Sequence, residues 1–158
     1  MIKNENLKKK VILIVGPPGS GKGTQGEKLA KKLGYIHIST GDLMREISNS
    51  GSDTGKMISQ FIKTGDMIPD VIIEEIMLQR LRKQSKEVIL LDGFPRTLNQ
   101  GLLLYSAKEL CVDRVILIQV PDNVCMQRLL NRNDPLRKTN DSNKGFNEMR
   151  LKFYNVYK

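Results

Sequence analysis

The chain has no tryptophan, one histidine and two cysteines, and aromatic residues make up only 5% of its 158 positions. Few aromatics, with no basic stretch interleaved with stacking residues, argue against a single-strand nucleic-acid platform, which needs side chains for bases to lie on. Cys111 and Cys125 have no metal-like spacing, and so few thiols suggest a reducing compartment, here the cytoplasm. No apolar run approaches the roughly 20 residues of a membrane helix, so no membrane partner is expected. Met1 to Lys10 is charged without an apolar core and reads as a tail, not as a secretory signal or a transit peptide. His37, the single histidine, lies in the apolar run Tyr35-Ile36-His37-Ile38 and reads as a strand residue, not a catalytic base.

What remains is an ordinary globular balance, 39% hydrophobic and 27% charged, in one domain of 1–158. The charge is lopsided: 26 Lys and Arg against 17 Asp and Glu give +9. A basic excess suits nucleic acid, or a pocket where several arginines face polyphosphate.

Strand-like and helix-like segments alternate. Val11–Val15, Tyr35–Ser39, Val88–Leu91 and Val115–Val120 read as strands. Thr24–Leu33, Gly41–Asn49, Thr54–Thr64, Pro69–Arg82, Leu98–Leu110, Asp122–Arg132 and Asn147–Tyr157 read as helices. The polar stretch Asn133–Gly145 reads as a mobile loop. This alternation predicts an α/β domain, a parallel sheet with helices on both faces, whose ligands bind at the carboxyl ends of the strands.

Gly16 to Thr24 read G-P-P-G-S-G-K-G-T, between the first strand and the first helix. That is where a phosphate-binding loop belongs: consecutive backbone N–H groups face the phosphates, the helix N-terminus adds positive potential, and Lys22 supplies a point charge. Gly23 occupies the usual Ser/Thr slot and Thr24 follows it. Gly21, Gly23 and Gly26 also spell G-x-G-x-x-G, but that fingerprint would begin several residues after the strand ends, so a dinucleotide site is rejected. Further candidates lie in Ser39-Thr40-Gly41-Asp42-Leu43-Met44-Arg45, Gly65-Asp66-Met67-Ile68-Pro69-Asp70, Asp92-Gly93-Phe94-Pro95-Arg96-Thr97 with Gln100, and the arginines around the polar loop. Taken singly, Arg45 reads equally as a solvated helix residue, Asp92 as a turn cap, and Arg128, Arg132, Arg137 and Arg150 as surface charge.

Taken together and in this order, the motifs G-P-P-G-S-G-K-G-T-Q, S-T-G-D-L-M-R, D-G-F-P-R-T with Gln100, and Q-R-L-L-N-R resemble the nucleoside monophosphate kinases, the adenylate kinases most closely. The resemblance runs from about Val11 to the chain end. It implies a P-loop NTPase-like core (11–39, 71–132, 146–158), a helical monophosphate-binding segment (40–70) and a short lid (133–145). It implies transfer of a phosphoryl group from ATP to AMP, giving two ADP, with Mg²⁺. Gly19, Ser20, Gly21, Lys22, Gly23, Thr24 and Arg128 would hold ATP. Thr40, Arg45, Asp66, Met67, Ile68, Gly93, Phe94, Pro95, Arg96 and Gln100 would hold AMP. Asp92, through water, and Thr24 would hold the metal. Lys22, Arg96, Arg128, Arg132, Arg137 and Arg150 would stabilise the transferring group. Thr40 and Gln100 are the adenylate-type choices; a UMP/CMP kinase, a GTP:AMP phosphotransferase and a non-catalytic nucleotide-binding module are the alternatives. A lid without a cysteine cluster excludes a zinc-bearing lid.

The chain departs from the family in two places. The lid arginine is followed in the family by two acidic residues, whereas Arg137 leads into Lys138-Thr139-Asn140-Asp141, and the spacing to Arg150 differs by a couple of residues. The family also continues beyond the Asn147 helix with a helix, a fifth strand and a last helix, so the fourth strand is expected to stand as an open apolar edge. A monomer is the family-based expectation.

Overall fold

The computed structural model describes residues 8–64, 66–132 and 143–157, the side chains of 153, 156 and 157 excepted. Four strands, β1 (Lys9–Val15), β2 (Ile36–Ser39), β3 (Val88–Asp92) and β4 (Leu110–Leu117), form one sheet in the order β2-β3-β1-β4. Every pairing is parallel. Among the described residues seven helices accompany them: α1 (Lys22–Leu33), α2 (Thr40–Ser48), α3 (Asp53–Thr64), α4 (Asp70–Arg82), α5 (Leu98–Ser106), α6 (Asp122–Leu130) and α7 (Lys144–Tyr157).

The unbroken apolar run of β1 is explained by what covers it. Successive strand residues point to opposite faces. Val11 and Leu13 enter a large cluster with Ile38, Ile89, Leu91, Met77, Leu81 and Leu104. Ile12 and Ile14 enter a smaller one with Leu90, Ala30 and Leu29. Helices therefore cover both faces, as expected of a parallel sheet. Burying each such side chain contributes about 1.5–3 kcal/mol relative to leaving it exposed.

Helix α1 lies close on its face because its inward residues are small. A Cβ on Gly26 would stand 2.7 Å from His37 Nε2 and 3.0 Å from Ile14 Cδ1. Gly26 is thus a packing residue in mid-helix. His37 is a β2 residue, and its Nε2 is buried with no hydrogen-bond partner among the described residues.

Several boundaries differ from the sequence reading. β4 starts at Leu110 rather than Val115 and ends at Leu117, and α5 stops at Ser106 rather than Leu110. Ala107 turns the backbone to an extended conformation, and Leu110 N–H closes a turn onto its carbonyl. The charged pair Asp113-Arg114 concealed the first half of the strand: β4 is an edge whose residues after Leu110 are exposed, and its apolar run begins only at Val115. Val112, Val115 and Leu117 are nevertheless among its exposed residues, in keeping with the expected open apolar edge. α6 ends at Leu130, because Asn131 leaves the helical region (φ −91°, ψ 8°); Arg132 then follows the helix instead of sharing a face with Arg128. α7 starts three residues before Asn147, capped by Asn143, whose Oδ1 accepts from Phe146 N–H at 3.0 Å. Residues 144 and 145, expected in the lid, are therefore helical, while 133–142 lie outside the described residues.

Candidate active site: two anion-binding elements on adjacent strands

The loop after β1 needs glycine at two of its positions for reasons the structure makes explicit. Gly19 has φ +83°, and a Cβ there would lie 2.5 Å from the backbone oxygen of Cys125. Gly21 caps α1 from the left-handed region, φ 94°. Below the loop, Arg128 Nη1 donates to the Ser20 carbonyl at 3.3 Å, which ties α6 to the loop. The Ser20 hydroxyl is buried and finds no partner among the described residues. Cys125 packs under Gly19, and burial pushes its thiol pKa up, so it stays a protonated, unreactive thiol.

Lys22 opens α1 and donates from Nζ to the Pro17 carbonyl at 3.0 Å. Burial lowers its pKa from 10.5 to about 8; Asp92 opposes the shift, while Arg96 and Arg150 reinforce it. Burial and the neighbouring guanidinium groups both disfavour the charged ammonium.

Asp92 ends β3 and stands opposite Ile14 of β1 in the sheet register. Its Oδ2 lies 3.5 Å from where a Gly23 Cβ would stand, so the carboxylate faces the phosphate loop. Burial raises its pKa, against the pull of Lys22, His37 and Arg96. The carboxylate is a hard oxygen donor facing the loop after β1, the kind of group that can hold Mg²⁺ through the ion's waters.

The second element follows β2 and β3. Ser39 caps α2 by accepting from Asp42 N–H, and Thr40 Oγ1 donates to the Asp92 carbonyl at 3.2 Å. Gly93 has φ +79°, and a Cβ there would lie 3.0 Å from Arg96 Nη2 and 3.7 Å from Thr40 Cβ. Arg96 Nε donates to the Gly93 carbonyl at 2.8 Å. Arg96 is exposed along part of its length, while its guanidinium is desolvated by the groups packed around it. That desolvation lowers its pKa from the usual guanidinium value, with repulsion from Arg150 and Arg45 adding to the effect and Asp92 opposing it. Arg45 is ion-paired with Asp42 one turn earlier.

A family model described as Adenylate kinase matches residues 14–158. The chain belongs to the adenylate kinase family. It is similar to the adenylate kinase of Prochlorococcus marinus, 41% identical over 90% of this chain and 77% of that protein. It is also similar to that of Kosmotoga olearia, 43% identical over 77% of this chain and 58% of that protein. The mitochondrial GTP:AMP phosphotransferase of Drosophila melanogaster is 39% identical over 76% of this chain and 55% of its own length. The chain thus spans little more than half the length of several relatives it matches.

Of the residues expected from the adenylate kinase resemblance, the structure brings Lys22, Gly23, Thr40, Arg45, Asp92, Gly93, Arg96 and Arg150 into one electrostatic neighbourhood. Arg150 comes from α7, its Nη1 bonded to the buried Asn147 and its guanidinium 5.5 Å from the Phe146 ring centroid. Phe94 packs into the main core at 2% exposure, so only its backbone is available to a ligand. Pro95 follows it through a cis peptide bond. Asp66 and Met67 are exposed, and Ile68 packs partly against the core. Gln100 is 1% exposed, and its amide is engaged at both ends: Oε1 accepts from Arg96 N–H at 2.7 Å and Nε2 donates to Asp70 at 2.6 Å. Arg137 lies outside the described residues.

Asp70 closes a segment the sequence singled out, but the sequence assigned it no role of its own. An acid in the first turn of a helix is ordinary, favoured by the helix dipole, so nothing in its setting marks it out. Among the described residues no group of three or more His, Cys, Asp or Glu could hold a metal by itself, and no helix is long and apolar enough to cross a membrane.

Proposed function

We propose that this chain carries the phosphoryl-transfer site of an adenylate kinase: ATP and AMP give two ADP, with Mg²⁺. The observation that carries the reading is the convergence of Lys22 of one anion-binding element and Arg96 of the other around Asp92. One element alone would bind a nucleotide; two facing each other supply a donor and an acceptor.

In this reading the loop Gly19–Thr24 and Arg128 hold the ATP phosphates. Thr40, Arg45, Gly93 and Arg96 hold the AMP phosphate, with Asp66–Ile68, the Phe94-Pro95 backbone and Gln100 toward the base. A phosphate oxygen of AMP attacks the γ-phosphorus, the bond to the β,γ-bridging oxygen breaks, and that oxygen leaves on ADP. No side chain needs to act as a nucleophile, in keeping with an inert Cys125 and a packed His37. Positioning and charge neutralisation account for most of the catalysis in such a transfer. Lys22, Arg96, Arg150, Arg132 and Arg137 are assigned to the charge on the equatorial oxygens. Arginine suits this work because its planar fork pairs with two phosphate oxygens and never loses its charge. Mg²⁺, held by Thr24 and through water by Asp92, would neutralise phosphate charge. The free thiols Cys111 and Cys125 accord with a reducing compartment such as the cytoplasm.

A coupled assay with AMP, UMP, CMP and GMP as acceptors, and ATP and GTP as donors, tests the reading. Turnover with AMP and ATP is expected. Turnover with GTP alone would move the chain toward the GTP:AMP transferases, and none with any pair would leave a binding module.

A further inference from the structure

The amide of Gln100 is held in one of its two orientations. Arg96 N–H donates to Oε1 at 2.7 Å, and Nε2 donates to Asp70 Oδ1 at 2.6 Å. Asp70 is held in turn: its Oδ2 accepts from Thr97 Oγ1 at 2.7 Å, and Thr97 caps α5, accepting from Gln100 N–H. Turning the amide over would set Nε2–H against Arg96 N–H and Oε1 against the Asp70 carboxylate, two like-with-like contacts in a buried place. A primary amide has two N–H groups and an oxygen with two lone pairs. One N–H and one lone pair therefore stay unengaged, and the orientation fixes which of them lies on which side.

That order matters to a purine. Adenine presents an amino donor beside a ring-nitrogen acceptor. Guanine presents a carbonyl acceptor beside a ring N–H donor. An amide fixed one way pairs with the first edge and meets the second donor to donor and acceptor to acceptor. We propose that Asp70 is a specificity-determining positioning residue: by locking the Gln100 amide it makes the monophosphate site select adenine over guanine. The inference rests on the reading that Gln100 faces the base, and it adds a residue that touches no substrate. Its place at the first turn of α4 also means that the tether spans two elements, from the end of the 40–70 segment to the turn that carries Arg96.

The test is calorimetric titration of the full chain with AMP and with GMP, for the wild type, D70A and D70N, alongside thermal melting. Wild type is expected to prefer AMP. In D70A, AMP affinity should fall about tenfold while GMP affinity changes less than about twofold, the loss expected for one hydrogen bond to a charged group. In D70N the amide oxygen can accept from Gln100 while its NH₂ donates to Thr97, so the preference should stay within about threefold of wild type. Equal losses for AMP and GMP in D70A, or an unchanged ratio, overturn the inference and leave the kinase reading standing. A D70N that behaves as D70A also overturns it, since charge and not orientation would then be at issue. Wild type that binds neither nucleotide sinks the kinase reading itself. Should D70A not fold, D70E shifts the carboxylate by one methylene and is expected to narrow the AMP to GMP ratio; an unchanged ratio in a folded D70E overturns the inference.

Discussion

Lys22 should take up a proton when polyphosphate binds. Its ammonium is desolvated and flanked by Arg96 and Arg150, which brings its pKa down to about 8 in the free protein. At that value it is about half protonated at pH 8, about nine-tenths at pH 7 and about one-tenth at pH 9. Bound phosphates add opposite charge within a few ångströms and restore the ammonium. The uptake is then about 0.1 proton at pH 7, about 0.5 at pH 8 and about 0.9 at pH 9. At pH 8 and above a terminal phosphate, with a second pKa of about 6, is already ionised and releases no compensating proton. Titration calorimetry with ATP in two buffers of different ionisation heat reads the uptake directly. Lys22→Met should abolish it. Uptake below about 0.1 at pH 8, or the same uptake in the Lys22→Met variant, refutes the assignment of Lys22 to the phosphates. The same shift affects stability. The unfolded chain holds this proton up to about pH 10.5 and the folded chain only up to about 8. The penalty is therefore full below pH 8 and is relieved as the pH climbs from 8 to 10.5, by at most about 3 kcal/mol. Unfolding of wild type and Lys22→Met at pH 7 and 10 should show the gap between them closing as pH rises.

Arg96→Ala should remove most phosphoryl transfer while the melting temperature moves by only a few degrees; near-normal turnover would defeat the two-element mechanism. Gly26→Ala keeps a helical backbone but sets a methyl 2.7 Å from His37 Nε2, and overpacking of this kind costs about 1–3 kcal/mol, or about 2–4 °C per kcal/mol in a chain of this size, readable by calorimetry. An unchanged melting temperature would show that His37 can swing away freely. Val115→Lys, on the exposed part of β4, should raise the concentration at which the protein aggregates, measured by light scattering, and change stability by less than about 0.5 kcal/mol.

The core strands β1 and β3 were legible because both of their faces are covered, which writes a continuous apolar run. The first half of β4 was not, because an exposed edge carrying Asp113 and Arg114 has no such signature. The loop Gly16–Thr24 and the turn Asp92–Arg96 stood out because positive-φ glycines and close backbone approaches restrict the residues these positions accept and leave a dense local pattern. Phe94 shows the limit of carrying roles by motif: it sits inside a substrate-binding motif, yet its ring belongs to the core. Asp70 was invisible for the opposite reason. Its partners Thr97 and Gln100 are 27 and 30 residues away, and local sequence holds no record of a contact that tertiary packing creates.

The pairing of Ile14 with Asp92 makes the sheet a ruler. Neighbouring strands are about 4.8 Å apart, and the ladder holds that distance more rigidly than any long side chain could. The origin of the loop after β1 and the origin of the turn after β3 are therefore spaced by backbone hydrogen bonds before either arginine or lysine is placed. A one-residue slip between the two strands would shift the donor side against the acceptor side by about 3.3 Å, enough to spoil in-line geometry with every site residue still present. Lengthening either strand by a single residue should therefore be far more harmful to catalysis than to nucleotide binding.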